Sequence, residues 1–330
     1  MKALVYEGVR TVSLREVDVP EPKAGEHLIR VEAVGICGSD MHAYLGHDER
    51  RPAPLILGHE AAGTVVGGAW DGKRVTVNPL VTCGNCDACR SGQDNLCGTR
   101  QIISMPPREG AFAQYVTMPE RNLVEIPNQI DVRKAALVEP VACGWHATKV
   151  AERSVTISGS TALVFGGGAI GLGAALSLVA RGAASVRIVE PSEQRRMYLR
   201  ERTGLDVIHP DELGGKELFD LVVDGVGYSG TREAASLHAR PGGVIVHIGL
   251  GESFGGLDIR RLTLQEITFV GTYTYTAHDF RETAEALFSG TLGPIDWIST
   301  RSLSEGAAAF AELLEGRCEA PKIVLEPWMD

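Results

Sequence analysis

The stretch TALVFGGGAIGLGAALSLVA, residues 161–180, decides the class of fold. Its first residues are mostly apolar and run into a glycine cluster, as a buried strand does when it enters a tight turn. The residues after the cluster have the composition of a buried helix that ends at Gly182. The glycines of the pattern G-x-G-x-x-G are Gly166, Gly168 and Gly171, and we expect them to contact the cofactor together with Ala169 and Ile170. This order of strand, loop and helix predicts backbone N–H groups that bind the pyrophosphate of a dinucleotide.

Strands and helices alternate after this stretch. SVRIVEP, residues 185–191, is typical of a strand, and the helix after it opens at Ser192 and closes at Gly204. Further strand patterns are FDLVVDGVG, VIVHIGL and ITFVGTYTY, at residues 219–227, 244–250 and 267–275. Such alternation predicts a parallel, doubly wound sheet with helices on both faces, which is the Rossmann type of dinucleotide-binding domain.

The second strand of this domain ends at Glu190, nineteen residues after Gly171. A carboxylate there can accept hydrogen bonds from both hydroxyls of the adenine ribose, and it would repel a 2′-phosphate. This favours NAD over NADP. Arg195 and Arg196 follow within a helical turn and weaken that preference, and we expect Arg195 to be among the cofactor contacts.

The first 125 residues show short strand patterns separated by turns. Examples are KALVYEG, TVSLREV and HLIRVEAVGIC, at residues 2–8, 11–17 and 27–37. They predict a β-rich, barrel-like module whose loops carry the cysteines. The pattern becomes helical in DVRKAALVEPVACGWHATKVA, residues 131–151, and PKIVLEP, residues 321–327, is a closing strand that we expect to return to the first module.

Four of the seven cysteines lie in CGNCDACRSGQDNLC, residues 83–97. Their spacing is C-x2-C-x2-C-x7-C, and they are Cys83, Cys86, Cys89 and Cys97. Thiolates two residues apart on a turning loop can converge on one tetrahedral ion, and four sulfurs leave no position open for substrate. We call residues 80–100 the cysteine lobe and expect it to hold a structural zinc ion. A disulfide or an iron–sulfur cluster is the alternative.

A second group of metal-binding side chains is spread over three distant segments. The first segment, GICGSDMH, contains Cys37, Ser39 and His42. The second, LGHEAAG, contains His59 and Glu60, and the third, ALVEPVACGWHA, contains Glu139. One thiolate, one imidazole and one carboxylate would leave a fourth zinc position open for water or an alcohol, as in a catalytic site. Their spacing alone does not join segments so far apart.

The motifs GICGSDMH, GHE, the cysteine lobe, EP and GGGAIG occur together in one order and spacing. In this respect the sequence resembles the medium-chain, zinc-dependent alcohol and polyol dehydrogenase family along essentially its whole length. The acidic third ligand resembles the sorbitol, threonine and secondary-alcohol branches of that family. The resemblance implies an α/β fold with two domains. They are a GroES-like β-rich catalytic domain from residues 1–149 and 277–330, and a Rossmann NAD-binding domain from residues 150–276.

The same resemblance implies roles for the second group. In that family three side chains bind the catalytic zinc, a carboxylate beside the metal ligates it at some stages, and a hydroxyl and an imidazole relay a proton. Cys37, His59 and Glu139 match the three zinc ligands. Glu60 matches the carboxylate beside the metal, and Ser39 and His42 match the proton relay. The implied cofactors are two zinc ions per chain, one catalytic and one structural, together with NAD.

The implied reaction is hydride transfer from a secondary alcohol, a polyol or sugar alcohol, to NAD, which leaves a ketone. Tyr275 matches a tyrosine of the sorbitol dehydrogenase pocket, but its arginine neighbour is Thr274 here, so a sorbitol-specific activity does not follow. Oxidation of L-threonine or another polar secondary alcohol is the alternative substrate class. A protein that binds zinc and NAD without turnover is the alternative function, and the proton relay disfavours it.

Other features of the chain carry weaker expectations. GTVVGGAWDGKRVTV, residues 63–77, is shorter than the matching family segment and predicts a trimmed hairpin. We expect His146 to pack without a ligand role, and Cys143 and Cys318 to be unpaired thiols.

The composition excludes several function classes. The net charge is −10, with scattered positive residues, which argues against a nucleic-acid surface. The N-terminal residues lack the apolar core of a signal peptide, and the glycine cluster argues against a membrane span at 161–180. We therefore expect a cytoplasmic enzyme with a small-molecule substrate and no nucleic-acid or membrane partner. The resemblance implies a homo-oligomer, a tetramer rather than a dimer.

Overall fold

The computed structural model describes residues 1–329, and its N-terminal part is the predicted β-rich module. The strands are β1 (Lys2–Gly8), β2 (Thr11–Glu16), β3 (Glu26–Gly35), β4 (Leu55–Ile56), β5 (Glu60–Val66), β6 (Arg74–Val77), β7 (Leu80–Val81), β8 (Gln101–Ile102), β9 (Tyr115–Pro119) and β10 (Leu123–Glu125). The helices are α1 (Gly38–Tyr44), α2 (Asp87–Arg90), α3 (Val132–Ala135) and α4 (Val138–Ala151). Strands β10, β6, β5 and β3 are successive antiparallel neighbours, and β9 also pairs with β3. Strands β5 and β6 pair antiparallel as a hairpin, and its shortening relative to the family stays a prediction.

The middle of the chain forms the Rossmann domain. Its elements are β11 (Thr161–Phe165), α5 (Ala169–Ala180), β12 (Ser185–Val189), α6 (Glu193–Thr203), β13 (Asp206–Ile208), β14 (Phe219–Asp224), α7 (Ser229–His238), β15 (Ala239–His247), α8 (Ile259–Leu264) and β16 (Thr268–Gly271). The strands are parallel in the order β13-β12-β11-β14-β15-β16. The order reverses between β11 and β14, and in open α/β sheets ligands bind in the crevice at that point.

The last part of the chain returns to the first module, as predicted. Its elements are α9 (Ala277–Phe288), β17 (Ile298–Ser302), α10 (Gly306–Leu314) and β18 (Lys322–Glu326). Strand β18 pairs antiparallel with β3 and parallel with β17. The domain boundaries given above stay a prediction.

Helix α4 joins the two halves. It packs along α5 of the Rossmann domain and also contacts α9 and β5. One core cluster accordingly contains Ala33 and Ala62 of the first sheet, Val141 of α4 and Leu172 of α5. Side chains on the first turn of α4 therefore lie between the β-rich module and the dinucleotide domain. Within residues 1–329, none of the helices has both the length and the apolar character to cross a membrane.

The structure differs from the sequence pattern at several elements. Residues 131–151 form two helices, because Pro140 has no N–H to donate to the carbonyl of Ala136, and the helix begins again at Val138. The strand predicted at 267–275 ends at Gly271, since Thr274 adopts a positive φ of 46° that turns the chain out of the sheet. The sequence pattern did not predict β13 and α8, which are too short to show a periodicity, or β17, whose sequence ISTRS has only one apolar residue.

Candidate active site

The four cysteines of the cysteine lobe converge. Cys86 Sγ lies 3.5 Å from Cys89 Sγ, and Cys83 Sγ lies 3.9 Å from Cys89 Sγ. A tetrahedral site with Zn–S bonds of about 2.3 Å has edges of about 3.8 Å, whereas a disulfide has an S–S distance of about 2.05 Å. All four sulfurs, including that of Cys97, lie within 4.8 Å of one another. The geometry suits one ion and is incompatible with the disulfide alternative.

Backbone N–H groups prepare the lobe for a metal ion. Those of Asn85 and Cys86 donate to Cys83 Sγ at 3.5 and 3.3 Å, and they lower the pKa of Cys83 to about 6. The N–H of Cys83 donates to Cys97 Sγ at 3.5 Å and lowers the pKa of that thiol as well. Because metals bind the thiolate, the lowered pKa values of Cys83 and Cys97 favour metal binding near neutral pH, whereas burial and the hydrogen bond with Cys86 raise the pKa of Cys89 to about 11.

Strand register brings part of the second group together. Cys37 is the N-cap of α1, directly after β3, while His59 and Glu60 stand at the start of β5. Because Gly35 of β3 pairs with Glu60 of β5, the chain segments that follow β3 and precede β5 meet at one edge of the sheet. One ligand atom from each of Cys37, His59 and Glu60 lies within 4.8 Å of the others. Sulfur, imidazole nitrogen and carboxylate oxygen are the donors that zinc accepts in catalytic sites.

His59 is held by a carboxylate that the sequence analysis did not single out. Asp40 is fully buried, and its Oδ1 lies 3.6 Å from His59 Nδ1. Its oxygens also accept hydrogen bonds from the N–H groups of Cys37, at 2.9 Å, and Gly58, at 3.2 Å. Burial alone would lower the pKa of His59, but the charges of Asp40 and Cys37 outweigh burial and raise it well above its usual value. A carboxylate behind a metal-binding imidazole fixes the ring orientation and raises its basicity.

Glu60 forms a buried ion pair with Lys322 of β18. Lys322 Nζ lies 2.6 Å from Glu60 Oε1 and also donates to the carbonyl of Ile36 at 2.8 Å. The other carboxylate oxygen, Oε2, is buried and has no hydrogen-bond partner among the described residues. A buried acceptor without a partner is costly, so this oxygen fits a site that receives a cation. Lys322 was missed because a lone lysine at the start of an apolar strand gives no motif.

Glu139, in the first turn of α4, is not part of the compact trio. It is 6% exposed, and its Oε1 accepts a hydrogen bond of 2.5 Å from the hydroxyl of Tyr275. Burial raises the pKa of Glu139 to about 7, and the nearby charge of Glu60 adds to the rise, while His59 opposes it. The charges of His59, Glu60 and Lys322 all act on this buried carboxyl group, so Glu139 lies within electrostatic range of the trio. Tyr275 is itself fully buried, and its hydroxyl supports Glu139.

The two expected relay residues lie on α1. Ser39 is half-buried and His42, in the last turn, is exposed. The buried guanidinium of Arg51 donates to the carbonyl of Ser39 at 3.3 Å and lies 3.5 Å from its hydroxyl. In the described part of the chain no direct hydrogen bond joins Ser39 to His42, so a proton passing between them needs a bridging hydroxyl or water. Their relay role stays a prediction.

The glycine loop has the predicted shape. Gly166 has a φ of 97°, and a Cβ at Gly171 would lie 1.9 Å from the carbonyl oxygen of Gly166, so both positions require glycine. Helix α5 begins directly after Gly168, and its first-turn N–H groups are placed to bind an anion.

Glu190 lies beside this loop. The sequence predicts that its carboxylate binds the adenine ribose, whereas in the structure it accepts hydrogen bonds from backbone N–H groups. Its Oε2 accepts from the N–H of Gly167 at 2.8 Å and its Oε1 from that of Ser192 at 2.9 Å. Arg195 donates to the carbonyls of Cys318, at 2.7 Å, and Glu319, at 3.5 Å. The cofactor contacts predicted for Glu190 and Arg195 stay predictions.

Comparison with known proteins decides the family. Residues 23–128 match the model of the alcohol dehydrogenase GroES-like domain, and residues 169–289 match that of the zinc-binding dehydrogenases. The sorbitol dehydrogenase of Bacillus subtilis (strain 168) is 32% identical over 348 aligned positions, which cover 99% of this chain and 97% of the relative. The chain belongs to the zinc-dependent medium-chain alcohol and polyol dehydrogenase family. This family consists of enzymes, and its membership confirms the two-part fold expected from the sequence.

Solved structures of the family agree along the whole chain. A zinc-binding dehydrogenase of Sinorhizobium meliloti 1021, bound to NADP, has a TM-score of 0.89 and 29% identity, with 99% of both chains covered. An alcohol dehydrogenase of Escherichia coli CFT073, in complex with NADH, has a TM-score of 0.88 and 26% identity, again with 99% of both chains covered. The chain thus shares the family fold throughout, and its two clusters of metal-binding side chains can hold one ion each.

Proposed function

We propose that this enzyme oxidises a secondary alcohol group of a polyol or sugar alcohol to the ketone and transfers the hydride to NAD. The observation that carries the proposal is the buried convergence of Cys37, His59 and Glu60, with Glu139 in the same charge cluster. An ion in the cysteine lobe would have all four positions filled by sulfur, whereas an ion held by three ligands of the second set would keep one position open for a substrate oxygen. The sorbitol dehydrogenase among the relatives supports a polyol as the substrate class.

Cys37, His59 and Glu139 would hold the catalytic zinc, with Glu60 beside it. A zinc ion bound there supplies a Lewis acid that lowers the pKa of an alcohol hydroxyl. The protein's own contribution is orientation and charge. Asp40 fixes the imidazole of His59, and Lys322 offsets part of the negative charge of the cluster. The core around α4 excludes water, which strengthens these electrostatic interactions.

Ser39 and His42 would carry the alcohol proton to solvent. Arg51 fixes Ser39 beside the cluster, and the exposed imidazole of His42 lies one helical turn further along α1. An imidazole has two ring nitrogens, so it can accept a proton at one and release a proton from the other.

The crevice at the end of β11 would hold the dinucleotide. The loop at 166–171 and the start of α5 suit a pyrophosphate, and the carboxylate of Glu190, which lies beside the loop, would accept hydrogen bonds from the adenine ribose. Negative charge there supports NAD. One related structure contains NADP, so rates with both cofactors test this part of the proposal directly.

L-threonine, or another secondary alcohol that bears a carboxylate, is the second candidate substrate. One arginine supports it. The guanidinium of Arg100 lies 4.8 Å from the ring centre of Tyr273, two positions before Tyr275, and a positive charge there would attract a carboxylate. Arg50 and Arg51 both pair with Asp48, which offsets part of their charge.

Association of chains is part of the proposal as well. Strand β16 is an outer strand of the Rossmann sheet, and an unpaired strand edge is a template for pairing with another chain. Exposed apolar side chains in the adjoining segment are Leu250, Phe254, Ile259 and Leu264. These features support a homo-oligomer. The tetrameric state and the cytoplasmic location stay predictions.

A substrate screen that follows NADH absorbance tests the function. The panel contains sorbitol, xylitol and other polyols, L-threonine, and simple secondary alcohols, each with NAD and with NADP. Turnover of polyols with NAD supports the first candidate. Turnover of L-threonine alone would replace it with the second, and no turnover of any alcohol by the zinc-loaded enzyme would refute both.

A further inference from the structure

The cysteine lobe touches the segment that supports Glu139. Between Cys89 and Cys97, a short 3-10 turn (Asp94–Leu96) faces residues 273–277, which lie 178 to 183 positions later in the chain. This segment leaves the Rossmann sheet after β16 and leads into α9. It contains Tyr275, whose hydroxyl donates to Glu139.

The lobe holds this segment on both sides of Tyr275. On one side, the Nδ2 of Asn95 donates to the carbonyl of Tyr273 at 2.8 Å. On the other side, both carboxylate oxygens of Asp94 accept from the N–H of Ala277 at 3.2 Å. That N–H belongs to the first residue of α9, where a negative charge also stabilises the helix. Asn95 is only 4% exposed, so its amide is committed to this contact.

Tyr275 transmits this placement to Glu139 because it has little freedom of its own. Its side chain is fully buried, and its ring packs on Phe280 of α9 with centroids 5.5 Å apart. The hydroxyl reaches Glu139 Oε1 at 2.5 Å, which leaves Oε2 as the oxygen for a metal ion. A carboxylate restrained at one oxygen has fewer rotamers to lose when its second oxygen binds.

We propose that the cysteine lobe is a positioning element for the catalytic metal site, acting through Asn95 and Asp94 on residues 273–277 and through Tyr275 on Glu139. The inference rests on the proposed function in one respect, the assignment of Glu139 as a metal ligand. It gives the lobe a role beyond local stability: a correctly folded lobe makes the catalytic site hold its zinc longer. Asn95, Asp94 and Tyr275 are positioning residues, since they act on the metal only through Glu139.

The rate of zinc release tests this. The fully zinc-loaded enzyme is mixed with a chromogenic chelator, and the release phases of wild type, Asn95→Ala and Tyr275→Phe are compared. The phase that disappears in Cys37→Ser belongs to the catalytic site. We expect each of the two variants to speed this phase about tenfold or more, the usual size of effect when a group behind a metal ligand is lost. The release phase of the lobe itself should change far less.

Matched controls separate positioning from general damage. Gln93→Ala removes an exposed amide side chain from the same lobe, next to Asp94, and should release zinc like wild type. The Asn95→Ala/Tyr275→Phe double variant should be no faster than the faster single variant, because both act on one element. If Asn95→Ala does not fold, Asp94→Asn takes its place in both comparisons.

The proposal would be overturned if Asn95→Ala released its catalytic zinc at the wild-type rate. It would also be overturned if the double variant accelerated release by the product of the two single-variant factors. The readout needs no substrate. If no alcohol is oxidised but zinc release is accelerated in the variants, the proposed function is refuted and this inference stands. If a polyol is oxidised but zinc release is unchanged in the variants, this inference is refuted and the proposed function stands.

Discussion

Lys322 Nζ lies 2.6 Å from Glu60 Oε1, with both side chains at most 4% exposed, 262 residues apart in the chain. The pair ties the closing strand β18 to the β5 strand that carries His59 and Glu60. It also sets one positive charge against a cluster of Cys37, Glu60 and Glu139. Lys322 therefore stabilises the ionised carboxylate of Glu60 in the zinc-free protein.

Replacing Lys322 with Met should strongly destabilise the zinc-free protein. The change leaves a buried carboxylate without its cation, which costs about 3–5 kcal/mol of unfolding free energy. Denaturant unfolding at neutral pH measures it. Zinc compensates the same charge, so the loss should be smaller in the zinc-loaded protein, and Lys322→Arg should lose much less than Lys322→Met. Wild-type stability of the zinc-free Lys322→Met protein would contradict this account of the pair.

Gly35→Ala should displace Glu60 and leave the fold intact. A Cβ at Gly35 would lie 2.0 Å from Glu60 Oε2, the end of a flexible side chain, so the carboxylate moves and the backbone stays. A misplaced group beside the reaction costs about 10- to 100-fold in kcat/KM. Steady-state kinetics and circular dichroism measure both effects. Gly38→Ala is the matched control, because a Cβ there meets open space. Equal kcat/KM values for the two variants would show that the position of Glu60 does not matter.

Asp40→Asn should weaken the catalytic zinc site. The amide keeps the size of Asp40 but removes the charge that orients His59 and raises its basicity, so zinc affinity should fall about 10- to 100-fold. Chelator competition on the variant and wild type measures the change, with the cysteine lobe as an internal reference site. If the folded variant bound zinc at the catalytic site with wild-type affinity, Asp40 would not support His59 as a zinc ligand.

Zinc binding at the catalytic site should weaken as the pH falls. In the zinc-free protein the pKa of His59 is well above its usual value and that of Glu139 is about 7, so both groups hold protons that a metal must displace. Raised pKa values place this proton release in the neutral range. Zinc affinity should therefore fall as the pH is lowered from about 8 to about 6, and below pH 7 it should fall at least tenfold per pH unit. Chelator competition at several pH values measures it. Glu139→Gln should show a shallower dependence, and an identical slope in that variant would exclude Glu139 from the coupled protons.

The sequence predicted those features that depend on local pattern. The glycine loop at 166–171, the Ser192 and Gly204 ends of α6 and the converging cysteines needed only short-range spacing. Cys37, His59 and Glu139 could be joined only by family resemblance, because strand register and α4 packing bring them near each other.

Sequence analysis could not predict the contacts by which other residues support these ligands, although the family resemblance singled out Tyr275 as a pocket residue. Asp40 has the spacing of a helix-capping residue, three positions after the N-cap Cys37, and that alone does not reveal its contact with His59. Lys322 and Tyr275 act across 262 and 136 residues, and nothing in their local sequence marks those partners.

Zinc content, determined together with NADH formation, tests the central claim most directly. The claim is that the lobe ion is structural and that chemistry occurs at the Cys37 site. The account predicts two zinc ions per chain and NADH formation in the wild type with a polyol. It predicts one zinc ion and no NADH formation in a folded Cys37→Ser variant. A Cys37→Ser enzyme that keeps both zinc ions and wild-type NADH formation would contradict it.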